Sequence, residues 1–385
     1  MSFGTLLVIV LAGLAGPLLG VSERRFVPVV VGEILAGVLI GRTGLGAIDP
    51  TNTTIALLGQ VGFAMLMLTV GMHLPLRDRR VAASLRGGVL LAVIVGVLAV
   101  PAGFAAAAIA GSSHAAVYGV LLASGSAAVL LPALQESSAA GVDVFAVMVQ
   151  VTVADVLTIL SVPIVLQPGR AAHAVLGGVL VAAAAAALLG AAHTLRGRHW
   201  VHQMRKLSRR RHWALDLRLS LAVLFGLAWI AQRSGTSVLV AGFGTGLMVA
   251  LIGGPERLST QMRGIADGFF IPLYFVVLGA QLDLRGLIES PSMVALAGAL
   301  AALNLAIRLV ATTLTGRPPS AALAASAQLG VPAAIASLGL ADGVLSIRIA
   351  TAIVAAAVIS LGVCTVGVGR LVKREAGLPA QQGAA

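Results

Sequence analysis

Asp155 is set among Val, Leu, Ile and Ala in VTVADVLTILSVPI (residues 151–164), with Thr152 three residues before it and Thr158 three after. On a helix that spacing puts the carboxylate and both hydroxyls on approximately one face. Such a face offers oxygen ligands only, which suits a hard cation, and the lack of His or Cys nearby disfavours a transition metal. The same carboxylate can hold a proton instead, so cation and proton compete for one seat. If the protein reorients only with that seat filled, cation movement one way is coupled to proton movement the other way. The competing reading is a packing acid satisfied by its neighbours.

Other polar residues stand where they can assist. ASGSAAVLLPALQ (123–135) carries Ser124, Gly125 and Ser126 ahead of a proline, and AQLGVPAAIASLGL (327–340) carries Gln328 ahead of another. Both helices are expected to break there and to leave carbonyl oxygens unpaired, available to the seat around Ser124 and Ser126. Arg308, in ALNLAIRLVATTL (302–314), has Asn304 one turn before it. A guanidinium keeps its proton, so its expected role is electrostatic: stabilising carbonyl ends or lying near Asp155, with a snorkelling side chain as the alternative. Glu33 in GEILAG follows Pro28, and a capping role there competes evenly with one in transport. Gln60, His73 and Gln281 are weaker candidates.

These residues need a scaffold that crosses a membrane. Of 385 residues, 58 % are hydrophobic and 10 % charged, and the mean hydropathy is +1.02, outside the range of a soluble domain. About thirteen apolar stretches each suffice to cross the hydrocarbon core as a helix. They run over 2–21, 28–41, 54–73, 86–110, 115–135, 143–166, 171–194, 214–231, 236–253, 265–282, 291–314, 319–341 and 346–370. The first lacks a basic leader and is read as a retained helix rather than a signal peptide.

The net charge of +12 raises nucleic acid as a partner, but the distribution of the basic residues speaks for topology. With alternating loops, one side collects Arg24, Arg25, Arg77, Arg79, Arg80, Arg86, the eight Lys and Arg from Arg196 to Arg218, Arg257, Arg263, Arg317, Arg370, Lys373 and Arg374. The other side has Arg42, Arg170, Arg233, Arg285 and Arg348. The positive-inside rule then puts the N-terminus outside and the C-terminus in the cytoplasm. The run RGRHWVHQMRKLSRRRHW (196–213) is read as a topology determinant rather than a lipid or nucleic-acid site. Cys364 is the sole cysteine, which removes disulfide scaffolds and Cys-ligated metals.

Internal repeats organise the chain. GFAMLMLTVGMHLPLR (62–77) and GFFIPLYFVVLGAQLDLR (268–285) both close as G-x-x-L-x-L-R, which matches His73 with Gln281. GEILAGVLIG (32–41) pairs with AGFGTGLMVALIG (241–253), and the two proline-broken stretches form a third pair in the same order. The expected transmembrane domain is 1–372, with one repeat over 1–166, a linking helix and basic loop over 167–213, and an inverted second repeat over 214–372. Residues 373–385 are expected to form a short cytoplasmic tail. Inverted repeats with paired interrupted helices point to a secondary transporter with its site near the midplane.

At these residues the chain resembles the monovalent cation:proton antiporter-2 family of Kef-type and Nap-type exchangers, over about residues 2 to 372. GEILAGVLIG, LASGSAAVLLPALQE, the Ala154–Asp155 pair and FFIPLYFVVLGAQLDL occur in the family's order. The resemblance implies an all-α sodium/proton antiporter fold of thirteen helices and a homodimer. It also implies a core of spans four to six and eleven to thirteen, with broken spans five and twelve crossing, that moves against a dimerisation domain. By motif Asp155 takes the place of the ion- and proton-binding aspartate, and Arg308 that of a basic residue in the corresponding helix. Many members have a polar or acidic residue where this chain has Ala154, so electroneutral one-for-one exchange is expected. Kef-type systems often add a cytosolic nucleotide-binding domain; about fifteen residues follow the last span here, so nucleotide control is expected only through a separate regulatory subunit.

The expected function is therefore exchange of Na⁺ or K⁺ for H⁺ across a bacterial inner membrane, without a cofactor and without a nucleic-acid partner. A Kef-like potassium efflux system is the alternative within the same lineage. A sodium-coupled symporter of organic anions and a non-transporting scaffold are the alternatives outside it. The sequence carries no serine-nucleophile, zinc or P-loop pattern, so an enzyme is not expected.

Overall fold

The computed structural model describes residues 2–20, 29–50, 52–72, 84–127, 129–130, 134, 142–196, 199–211, 213–234, 236–252 and 256–376, and all regular structure among them is helical. In chain order the helices begin α1 (Phe3–Gly13), α2 (Ala15–Gly20), α3 (Val29–Ile40), α4 (Thr53–Met72), α5 (Leu85–Ala110) and α6 (Ala115–Ala123). They continue with α7 (Val142–Leu166), α8 (Ala171–Arg196), α9 (His199–Arg210), α10 (Leu215–Arg233), α11 (Val238–Ile252) and α12 (Glu256–Ile265). A π-helix (Ala266–Phe270) leads into α13 (Ile271–Gln281). Then come α14 (Leu284–Ile288), α15 (Pro291–Leu314), α16 (Pro319–Ala325), α17 (Gly330–Ala341) and α18 (Ile347–Ala376). Among the described residues nine helices are long and apolar enough to cross a membrane, and three shorter apolar helices accompany them.

Several elements depart from the sequence reading. The first span divides into α1 and α2 around Leu14, because Pro17 lacks an amide hydrogen and its ring crowds the Gly13 carbonyl four residues back. The basic run read as a loop is helical over His199–Arg210, since Lys, Arg, Gln and Met hold a helix well in their own right. Span ten opens with the π-helix, which no sequence pattern announced. His73, Pro132, the loop after Leu134 and the tail from 377 lie outside the described residues.

The chain forms two compact units. The first comprises the described residues within Met1–Val21, Val29–Leu76 and Pro163–Leu282, and the second those within Ser22–Pro28, Arg77–Val162 and Asp283–Ala385. The second unit thus holds spans four to six and eleven to thirteen, the set that the resemblance assigns to a core.

Packing in the first unit rests on glycine, because lipid gives apolar helices no reason to associate beyond close contact. A Cβ on Gly37 of α3 would run into the Val276 carbonyl of α13, and one on Gly279 of α13 into the Ile34 carbonyl of α3. The second crossing joins α4 and α11, where a Cβ on Gly242 would stand 2.5 Å from the Ala64 oxygen and one on Gly71 2.5 Å from the Phe243 oxygen. Span two therefore packs on span ten and span three on span nine. Overpacking such a contact costs about 1–3 kcal/mol or more, so Gly37→Val should cut the yield of monodisperse protein in size-exclusion chromatography several-fold. Gly96→Ala, where a Cβ meets open space, should leave it unchanged.

Candidate functional site

Both interruptions anticipated from the sequence occur in the second unit. The fifth span stops as a helix at Ala123, is extended at Ser124 (φ −68°, ψ 155°) and turns helical again from Ala127. Val129 and Leu130 then donate to the Ser126 carbonyl at 3.3 and 3.1 Å. The twelfth span stops at Ala325 and resumes at Gly330. Pro332 enforces that stop, because a continuous helix would press its ring on the carbonyl of residue 328, whereas in the first turn of α17 its missing amide costs nothing.

Each interruption leaves carbonyls at one end and amides at the other, and within a bilayer only protein can satisfy them. Arg308 on α15, 1 % exposed, supplies the carbonyl ends of both. Its Nε donates to the Ala325 oxygen at 2.8 Å, and Nη1 donates to the Leu122 oxygen at 3.3 Å and to the Asn304 oxygen at 3.0 Å. Nη1 also donates closely to Asn304 Oδ1, and Nη2 closely to the Ser124 carbonyl. Gln328 Nε2 donates to the Leu121 oxygen at 2.6 Å and to the Ser124 oxygen at 3.4 Å, so a side chain of one interruption caps the helix of the other. Asn304 Nδ2 donates to the Ser326 oxygen at 2.9 Å and to Ser360 Oγ at 3.1 Å, and Cys364 Sγ donates to the Ala324 oxygen at 3.1 Å.

Asp155 attends the opposite kind of end. It is 2 % exposed, and its Oδ2 accepts from the Ala127 amide at 3.2 Å, the first turn of the resumed helix. A carboxylate there is favoured by the unpaired amides and by the helix dipole. The interruption can lie this close to α7 because of Gly125, whose Cβ would stand 2.8 Å from Val151 Cγ1. Asp155 Oδ1 and Thr152 Oγ1, three residues apart on one face of α7, are both buried without a hydrogen-bond partner. Among the described residues they are two open oxygens of the site, one anionic and one neutral.

The structure redistributes the other expected ligands. Thr158 turns its hydroxyl back to the carbonyls of Ala154 at 2.6 Å and Asp155 at 3.2 Å. Ser124 Oγ donates to the Leu121 oxygen at 2.7 Å, and the Ser124 carbonyl is taken by Arg308 and Gln328 rather than left for a cation. Ser126 is buried beside the resumed helix. Glu33 belongs to the first unit, as do Gln60, which accepts from Gln232 at 3.4 Å, and Gln281. Sequence reasoning missed the Ala127 amide, which has no side chain to announce it, and Ser360 with Cys364, whose spacing of four on α18 could have marked a polar stripe facing the interruption. It also missed the ion pair of Arg317 Nη1 with Asp143 Oδ1 at 2.7 Å, which ties the start of α7 to the turn after α15. Among the described residues no cluster of three or more His, Cys, Asp or Glu forms a metal site.

Comparisons with known proteins agree with this architecture. The family described as sodium/hydrogen exchanger, transmembrane, matches residues 6–374. A relative from Bacillus subtilis (strain 168), the putative Na(+)/H(+) antiporter YjbQ, is 22 % identical over 312 residues, 76 % of this chain and 49 % of the relative. The glutathione-regulated potassium-efflux system protein KefC of Salmonella newport (strain SL254) is 26 % identical over 329 residues, 83 % of this chain and 50 % of KefC. The chain spans about half the length of the curated relatives it matches. In fold it is similar to the sodium proton antiporter MjNhaP1 from Methanocaldococcus jannaschii, with a TM-score of 0.64 and 16 % identity over 98 % of this chain and 99 % of that one.

Arg308→Met should strand the carbonyls of Leu122, Ser124 and Ala325 together. Removing one side of a buried charged network costs about 3–5 kcal/mol, so the variant should melt several degrees below the wild type in detergent. Asp155→Asn keeps an acceptor for the Ala127 amide and should melt close to wild type.

Proposed function

The chain belongs to the transmembrane sodium/hydrogen exchanger family, and from that premise we propose that it exchanges Na⁺ or K⁺ for H⁺ by alternating access, cation and proton competing for Asp155. The observation that carries this reading is the pair of unpartnered buried oxygens, Asp155 Oδ1 and Thr152 Oγ1. A cation takes Oδ1 as its charged ligand and the threonine hydroxyl as a neutral one, while Oδ2 keeps its bond to the Ala127 amide and holds the carboxylate in place. A proton on Oδ1 satisfies the same oxygen. Either occupant neutralises a charge that is expensive to carry through hydrocarbon, so the filled site reorients and the empty, charged one does not.

Arg308 keeps its proton and its charge throughout. With Ala154 rather than a second acid directly before Asp155, one cation moves for one proton and turnover carries no net charge. The crosswise packing of spans two and three on spans ten and nine supports the two-fold relation expected of inverted repeats. Arg317, Asp143 and Gly87, whose Cβ would lie 2.7 Å from Arg317 Nη2, gather three loops that the alternation counts on the cytoplasmic side. That supports counting them on one side of the membrane; an N-terminus outside and a C-terminus inside a bacterial inner membrane is part of the proposal and rests on the positive-inside rule. A homodimer is part of the same proposal.

The name of KefC, a potassium-efflux system protein, favours a second reading in which the chain releases potassium without obligatory proton exchange. Both readings are tested in proteoliposomes preset acidic inside, by dequenching of a pH-sensitive dye on addition of Na⁺, K⁺ or Li⁺. Exchange predicts saturable dequenching that Asp155→Asn lowers at least about tenfold and that leaves the membrane potential unchanged. Undiminished exchange in that variant overturns the role of Asp155. Potassium flux far above carrier turnover and indifferent to the pH gradient selects the efflux reading.

A further inference from the structure

The basic run between spans seven and eight takes no part in exchange, yet it is folded. Helix α9 joins α8 to α10, two apolar helices long enough to cross a membrane. A topology signal needs only positive charge in a loop, whereas this one has a helix with sorted flanks. Ser208 is buried; its Oγ accepts from the Leu215 amide at 3.1 Å and its carbonyl from the Trp213 amide at 3.0 Å. Between them the chain turns through Ala214 in the left-handed region (φ 50°), a strain that persists only where neighbours enforce it. These bonds fold the end of α9 onto the start of α10 and fix which way the helix faces.

Met204 and Leu207, three residues apart, share a flank of α9 and are exposed. Gln203, Lys206 and Arg210 fall about a quarter-turn round the helix and are exposed as well. A Lys- and Arg-rich flank beside an apolar one is the pattern of a helix that lies in a membrane surface. Two tryptophans give its level. Trp213, just after α9, has the Arg211 guanidinium 5.7 Å from its ring centroid, and Trp229, in the last part of α10, has that of Arg233 at 5.7 Å. Both rings are exposed, and Trp collects where hydrocarbon meets headgroups. Helix α10 is about 28 Å long, close to a hydrocarbon core of about 30 Å. The two rings thus mark the two boundaries, and α9 lies at the boundary of Trp213.

Charge identifies the occupant. No Asp or Glu occurs between Asp155 and Asp216, so the basic stretch brings no acid of its own. Lys206 and Arg210 stand four apart on the helix, where like charges repel. A phosphate between them removes that repulsion. We propose that α9 lies in the headgroup layer, Met204 and Leu207 toward the acyl chains and Lys206 and Arg210 on the phosphates of anionic phospholipids. The helix holds the first unit at a fixed depth in the membrane. This goes beyond the exchange reading and involves neither exchanged ion.

Tryptophan quenching in lipid nanodiscs holding the full chain tests this. With Trp200→Phe and Trp229→Phe, Trp213 is the one tryptophan left. Phosphatidylcholine brominated near the headgroup end of its acyl chains should quench it more than the same lipid brominated near the chain tips. At equal mole fraction, brominated phosphatidylglycerol should quench at least about twofold more than brominated phosphatidylcholine, and Lys206→Gln with Arg210→Gln should remove that preference. Asp155→Asn should keep it, so the outcome is independent of the exchange reading. Equal quenching by the two lipids, or a preference that survives the double substitution, overturns the proposal. A preference abolished by inorganic phosphate at constant ionic strength assigns the site to a free anion and overturns it too. Should the single-tryptophan protein fail to fold, melting of the chain with all its tryptophans in neutral detergent decides. Added phosphatidylglycerol should then raise the melting temperature by at least about twice as much in wild type as in the double variant, and equal rises overturn the proposal.

Discussion

One guanidinium meeting the carbonyl ends of two interrupted helices is the interaction on which the second unit depends. In water those carbonyls would be solvated and the interruptions would cost little. In hydrocarbon each one needs a donor from the protein, and Arg308 reaches Leu122 and Ser124 on one side and Ala325 on the other. Its own charge is tolerable there for the same reason, since helix C-terminal ends carry partial negative charge. Asn304, Gln328, Ser360 and Cys364 fill the remaining positions, so the paired breaks form one polar knot in an apolar unit.

Asp155 takes its meaning from the asymmetry this creates. Carbonyls of both ends are engaged, at Leu121, Leu122 and Ser124 and at Ala324, Ala325 and Ser326, whereas the amide end of the resumed fifth span is engaged by one carboxylate oxygen and leaves the other open. A buried anion with one free oxygen demands an occupant, and the chemistry of the surroundings offers it two: a proton, or a cation shared with Thr152. Arg308 is spent on the Ala325, Leu122 and Ser124 carbonyls and on Asn304, so the carboxylate stays available to what comes from outside.

Much of this was legible in the sequence. Asp155 stood out because a charge in an apolar span has few bland explanations, and the two breaks stood out because each span carries Gly or Ser ahead of a mid-span proline. The glycine-rich stretches GEILAGVLIG and AGFGTGLMVALIG were read as repeat markers, and the structure gives their glycines a physical use as contact points under carbonyls of α13 and α4. The partners of Arg308 were legible in kind but not in identity, because backbone carbonyls have no letter in the sequence. The same holds for the Ala127 amide. Thr158 and Ser124 were natural ligand candidates by spacing, yet a hydroxyl in a helix can always turn back to the carbonyl three or four residues earlier, and both do. The π-turn before α13 and the helix His199–Arg210 follow from local packing and propensity that hydropathy does not register.

The central claim is that cation and proton exclude each other at Asp155. Calorimetric titration of the purified protein with Na⁺ or K⁺ across a range of pH, in buffers of differing ionisation heat, measures this directly. Competition predicts release of about one proton per cation bound, with apparent affinity falling about tenfold per pH unit on the acid side, and neither effect in Asp155→Asn. Cation binding that releases no proton at any pH, with affinity independent of pH, would contradict the account.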